Sequence, residues 1–148
     1  MAIRANTLVA DYEYISQFDE AVDKSAEDFD HKWKLYRDGM AEPPLKAGEK
    51  PTFFKLRHVT SSERAYLLEL AQGNERGLFL GAAAIGLIGV KGLDGADGKP
   101  LQVRQESTTV GTIRLRSATK ESLDVLPLEV LLELGGLVME RLTVRPNS

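Results

Sequence analysis

The chain has no cysteine among its 148 residues. Disulfide bonds, thiolate metal sites and a cysteine nucleophile are therefore excluded, and such a composition is typical of a reducing compartment. Only two histidines are present, His31 and His58, and they lie in different segments. Neither has a second histidine or a carboxylate at the spacing that holds zinc. We expect both to be surface or strand-face residues, and we predict no metal and no cofactor.

The chain also has no large excess of charge of one sign and no long apolar run. The 19 basic and 22 acidic residues leave a formal net charge of -3, so the overall field does not attract phosphate backbones or anionic membranes. The longest apolar run, residues 78–90, is well short of the roughly 20 residues that a membrane-spanning helix needs. The first residues lack the pattern of a secretory signal. We expect neither nucleic acid nor membrane as a partner.

Sequence signals of catalysis are missing as well. The serines include no Gly-x-Ser-x-Gly elbow, and the glycines form neither a dinucleotide fingerprint nor a phosphate loop. Residues 94–98 (DGADG) resemble the start of a calcium loop, but Gln105 stands where a bidentate glutamate is required, so a turn is predicted. Scattered basic residues such as Arg57, Arg114 and Arg116 are typical of the solvated side of a sheet. We therefore predict a protein that is not an enzyme and has no catalytic residues.

The composition divides the chain near Pro51. Residues 1–50 are acidic and aromatic, and residues 51–148 have the composition of a compact core. Phe29, Trp33 and Tyr36 follow the i, i+4, i+7 spacing of one helix face, so a short helix is predicted before a stiff proline-rich linker at residues 41–50. Exposed aromatics of this kind often anchor protein partners, so we predict these three as interface residues. The alternative is that the arm folds back onto the core.

The pattern of residues 51–148 predicts both strands and helices. Residues 52–59 alternate as a half-buried strand, and residues 60–63 (TSSE) form a capping box that starts a helix. A Gly/Ala-rich helix is predicted to reach about Val90, followed by a turn, and residues 108–116 predict a strand interrupted at a glycine. The fold class is α+β: a mostly helical compact core with a small antiparallel sheet or hairpins, and an extended N-terminal arm.

A Leu-rich helix is predicted after Pro127, which suits the first turn of a helix. Leu131 and Leu132 belong to its broad apolar stripe and are predicted as protein-interface residues, whereas Glu133 is expected to face away from most of that stripe. The small residues of 78–90 allow a close approach of another element. That element is either the Leu-rich helix or a second copy of the chain, so a homo-oligomer is possible.

Five short segments carry a resemblance to a known family. They are residues 48–57 (GEKPTFFKLR), 60–63 (TSSE), 89–93 (GVKGL), 97–100 (DGKP) and 126–135 (LPLEVLLELG). In this order they resemble small accessory proteins of tailed bacteriophages, and within those the tail assembly chaperone-like proteins. The resemblance implies a protein that is not an enzyme and binds phage tail or capsid proteins in the host cytoplasm during assembly, or stays in the virion as a minor structural component.

A second functional hypothesis rests on the charge of the N-terminal arm. In that hypothesis the chain is a phage-encoded inhibitor whose acidic arm occupies a basic site on a host protein. The residues involved would be Asp19, Glu20, Asp23, Glu27, Asp28 and Asp30.

Overall fold

The computed structural model describes residues 11–141, which form helices and two small antiparallel sheets. The predicted α+β class is confirmed. In chain order the elements are β1 (Tyr12–Tyr14), α1 (Phe29–Arg37), β2 (Phe53–Leu56), α2 (Ser61–Ala71), α3 (Glu75–Gly86), β3 (Leu87–Lys91), β4 (Gln105–Val110), β5 (Ile113–Ala118), α4 (Lys120–Asp124) and α5 (Leu128–Glu140).

One sheet contains three antiparallel strands in the order β1-β2-β3, and the other is the β4-β5 hairpin. In the larger sheet Lys55 lies opposite Gly89 and Leu56 lies opposite Leu87, so β3 carries one extra residue, Ile88, as a bulge. The capping box predicted before α2 is present, because Thr60 accepts from the backbone of Glu63 and the Glu63 carboxylate accepts from the backbone of Thr60.

The predicted Gly/Ala-rich helix ends earlier than expected. It stops at Gly86, and the chain continues without a loop into β3. The prediction of helix up to Val90 was wrong, because Phe54 pairs with Val90 and supplies the ladder that the local apolar pattern does not reveal. β-branched residues such as Ile88 and Val90 also favour the strand.

Residues 108–116, which were predicted as one interrupted strand, belong to the β4-β5 hairpin. Val110 pairs with Ile113, and the two intervening residues make the turn, with Gly111 at φ +61°. The prediction of a break at Gly111 is confirmed, but the break reverses the chain direction. A left-handed backbone of this kind is typical of two-residue hairpin loops.

Residues 11–50 fold back onto the core, as in the second of the two readings of the N-terminal arm. β1 pairs with β2. The linker packs beside the segment before α1, where Val22 and Leu45 form an antiparallel β-bridge. Tyr14 and Trp33 are buried in the same apolar cluster as the residues of α3 and α5. Residues 1–10 of the predicted arm lie outside the described residues.

The closest contact in the core lies between α3 and α5. A Cβ on Gly135 would stand 1.7 Å from the carbonyl oxygen of Phe79, and a Cβ on Gly86 would stand 2.6 Å from Cγ2 of Val138. Each helix therefore has a glycine where the other approaches it. The small-residue seam is used within the chain, as the first of the two alternatives predicted.

Gly135→Ala should destabilise the fold, because the new methyl group collides with backbone that cannot rotate away. Gly136→Ala is the matched control, since its Cβ would meet only Arg37 Nη2 at 3.8 Å. Both changes gain up to about 1 kcal/mol of helix propensity, whereas overpacking costs about 1–3 kcal/mol or more. We expect urea unfolding to show a clear loss of stability for the first variant and none for the second. Equal stabilities would mean that the seam tolerates a wider spacing.

Candidate functional site

An open groove of about 750 Å³ runs along α5, between the first turns of α3 and the residues that follow β1. We call it the α5 groove. Its apolar surface comes from Phe18, Phe79 and Leu132. Its charged residues are Arg37, Arg76, Glu75, Glu129, Glu133 and Glu140.

The groove is lined by the side of α5 that faces away from the core. One side of the apolar stripe on α5, including Val130, Leu134 and Val138, is buried. The side at residues 129, 132, 133, 136 and 140 lines the groove, and this spacing places them on one helix face. An apolar position thus remains in a surface depression.

The structure separates the two leucines that were predicted together. Leu131 is only 9% exposed and belongs to the core, whereas Leu132 is half-buried and lines the groove. They are consecutive residues, so on a helix they point in directions about 100° apart. Leu132 is therefore the one of the two with surface in the groove.

The three predicted aromatic residues form an internal cluster. Trp33 is 7% exposed, and its ring contacts those of Phe29, Tyr36 and Tyr14 at centroid distances of 5.8, 5.0 and 6.2 Å. Phe29 and Tyr36 are half-buried against the core. Trp33, the middle residue of the predicted trio, is therefore a core residue with little surface for a partner.

Two groove residues were not singled out from the sequence. Phe18 lies in an irregular acidic stretch, and Phe79 lies in an apolar run that was expected to be core. Phe18 is 48% exposed and lines the groove. No periodic pattern marks Phe18, so only the folded structure places it opposite α5.

Glu133 ties the chain after β1 to α5. Its carboxylate accepts hydrogen bonds from the backbone N–H of Gln17 at 2.9 and 3.2 Å. Burial raises the pKa of the Glu133 carboxyl, although hydrogen bonds from Ser16 and Gln17 and the charge of Arg37 act in the opposite direction. Glu133 lies on the groove side of α5, away from the buried stripe as expected, but the chain after β1 partly covers it.

Further hydrogen bonds hold the same segment in place. The Tyr36 hydroxyl oxygen accepts from the backbone N–H of Ile15 at 2.7 Å, and the Asp19 carboxylate accepts from the backbone N–H of Thr52 at 2.7 Å. Asp19 also accepts from the backbone of Ala21 at 2.8 Å. This acidic residue of the arm therefore has a structural role.

His58 lies in the interior rather than on a surface or an open strand face. It is 8% exposed, its Nδ1 lies 2.7 Å from the backbone oxygen of Arg141, and its ring is 5.0 Å from that of Tyr12. The Arg141 guanidinium stacks on the other ring of this pair, at 4.8 Å from the Tyr12 centroid. The expectation failed because Arg141, which follows α5 directly, packs against His58. These contacts hold the C-terminal end of α5 against the sheet.

Arg57 forms a bidentate ion pair with Glu63, at 3.0 and 2.7 Å. Burial alone would raise the pKa of Glu63, but the hydrogen bonds from Arg57 and Thr60 outweigh it and lower that pKa. The Arg57 side chain also donates to the carbonyl oxygen of Ile85 at 2.9 Å. Arg57 is thus occupied by contacts that join β2, α2 and α3.

Within residues 11–141, no group of three or more histidine, aspartate or glutamate side chains is placed to hold a metal ion. In the same range, no helix has the length and apolar character to cross a membrane.

Comparison of the chain with protein-family models, with curated proteins and with solved structures finds no match.

Glu133→Gln should alter how stability depends on pH. Because the folded state raises the pKa of this carboxyl, it holds the proton more readily than the unfolded chain does. Ionised Glu133 therefore destabilises the fold at neutral pH, and this effect is relieved as pH falls through the raised pKa towards the ordinary value of about 4.3. We expect the variant to be more stable than wild type at neutral pH, with a difference that shrinks on acidification.

Urea unfolding across this pH range measures the effect, and Glu129→Gln controls for the loss of one negative charge from α5. A variant that is less stable than wild type at neutral pH would show that the hydrogen bonds to Gln17 outweigh burial.

Proposed function

We propose that this chain is a bacteriophage morphogenesis or minor virion protein that is not an enzyme and that binds another phage subunit in the α5 groove. The observation that carries the proposal is the exposed apolar surface of Phe18, Phe79 and Leu132 at one depression. On soluble proteins a concave apolar surface with a polar rim is typical of a binding site.

The apolar surface continues beyond the groove along α5. Leu128 lies one turn before Leu132 and is 40% exposed, so the two share a helix face. Full burial of each such side chain stabilises a complex by about 1.5–3 kcal/mol. Since association itself costs about 4–15 kcal/mol, several of these residues must be covered together. Leu128 and Phe18 expose only 40% and 48% of their surface, so a partner that spans Leu128, Leu132 and Phe18 gains only part of that free energy from them and must bury further surface around the groove.

The phage role and the identity of the partner class rest on the resemblance to tail assembly chaperone-like proteins. It points to phage tail or capsid subunits as partners, and to the host cytoplasm during assembly, or the virion, as the place of action. A homo-oligomer remains compatible with the proposal, because the groove lies on the outer surface of the described fold.

Leu132→Asp should abolish binding of the phage subunit while the fold is retained, because a carboxylate would be desolvated under the partner. Leu70→Asp is the matched control: Leu70 is an exposed helical leucine, on α2, and it does not line the groove. We expect at least a tenfold loss of affinity for the first variant, about 1.4 kcal/mol, and little change for the second.

Binding is measured by size-exclusion chromatography with light scattering, using purified tail and capsid subunits of the phage that encodes the chain. Circular dichroism checks that both variants are folded. Retention of the complex at high salt is expected for apolar contacts. Unchanged binding by Leu132→Asp, or loss of the complex as salt rises, would contradict the proposal.

A further inference from the structure

The charges at the rim of the α5 groove are predominantly acidic. The residues with substantial exposure there are Glu75, Glu129, Glu140 and Arg76. Arg37, which is half-buried, already forms an ion pair with Glu140 at 3.0 Å. Glu75 and Glu129 have no ion pair within residues 11–141. Arg76 is likewise without an ion pair in that range, so the rim holds two unpaired carboxylates and one unpaired guanidinium beside its apolar surface.

The acidic residues stand on two different helices that face the same space. Glu75 lies in the first turn of α3, and Glu129 lies in the first turn of α5. An acidic residue in a first turn favours its own helix, which explains the residue type at each position. It does not explain why both border one depression together with Phe79 and Leu132.

We propose that the α5 groove takes an amphipathic helix whose apolar row is flanked by lysine or arginine. This inference rests on the proposed function and names the chemistry of the partner segment. The groove runs along α5 between the first turns of α3 and the residues after β1, and an amphipathic helix binds in a hydrophobic groove through residues spaced at i, i+3, i+4 and i+7. The apolar row contacts Phe18, Phe79 and Leu132, while basic flanks face Glu75 and Glu129.

The two kinds of contact contribute differently. Apolar contact supplies affinity that persists at high salt, as expected for an assembly protein. The carboxylates supply discrimination, because an acidic segment in the same place suffers like-charge repulsion. Exposed charges are screened by salt, so the discrimination should fade at high salt while the apolar binding remains.

The test uses two fluorescein-labelled synthetic peptides with the same leucine row at helical spacing, one flanked by lysines and the other by glutamates. Anisotropy titrations with the full chain are run at about 0.1 M and about 1 M salt, where the Debye length is about 10 Å and about 3 Å. We expect the lysine peptide to bind at least about tenfold more tightly at low salt, and this ratio to approach one at high salt.

Charge reversal locates the effect. Glu129→Lys should weaken the lysine peptide and strengthen the glutamate peptide. Glu121→Lys is the matched control, because Glu121 is also an exposed first-turn acid, on α4, and it does not line the groove. We expect this control to leave the ratio of the two affinities unchanged.

Equal affinities of the two peptides at low salt, or binding of neither, would overturn the inference. So would an effect of Glu121→Lys as large as that of Glu129→Lys. These outcomes are distinct from failure of the proposed function, because the latter is judged by capture of phage subunits and by Leu132→Asp. If the chain captures phage subunits but binds both peptides equally well, the proposed function stands and the inference of a basic helix is wrong.

Discussion

The backbone contact between Gly135 of α5 and Phe79 of α3 is the constraint on which the rest of the structure depends. The space for a Cβ at Gly135 is taken by the Phe79 carbonyl group, so the two helices approach to a distance that only glycine allows. On the other side of the seam Gly86 lies under Val138. Since Phe79 also lines the α5 groove, the same contact sets the position of the groove relative to the core.

The N-terminal segment completes the groove that this helix pair begins. Glu133 holds the backbone of Gln17, and Asp19 holds that of Thr52. Phe18 lies between these two anchors and is the most exposed apolar residue of the groove. A segment with the composition of an acidic arm thus becomes a wall of the candidate site, and part of its charge is used to satisfy backbone N–H groups.

Local signals in the sequence predicted the elements whose stability is local. The Thr60 and Glu63 capping box marks the start of α2 through contacts three residues apart, and Pro127 marks the start of α5. Two elements that depend on distant partners, β1 and β3, were missed. β3 continues an apolar run without interruption, and only its pairing with β2 makes it a strand. Likewise, a broad apolar stripe on α5 does not distinguish buried Leu131 from groove-lining Leu132 until α3 and the returning N-terminal segment are in place.

Native-state hydrogen exchange, followed residue by residue on the full chain, tests the central role of the α3 and α5 contact most directly. If this seam holds the fold together, amides in the middle of both helices should exchange only through global opening, with equal and maximal protection. The amides of the peripheral β4-β5 hairpin should exchange through smaller openings. Substantially lower protection of α3 than of α5 would contradict the account, because it would show that α5 stays folded when its supposed partner has opened.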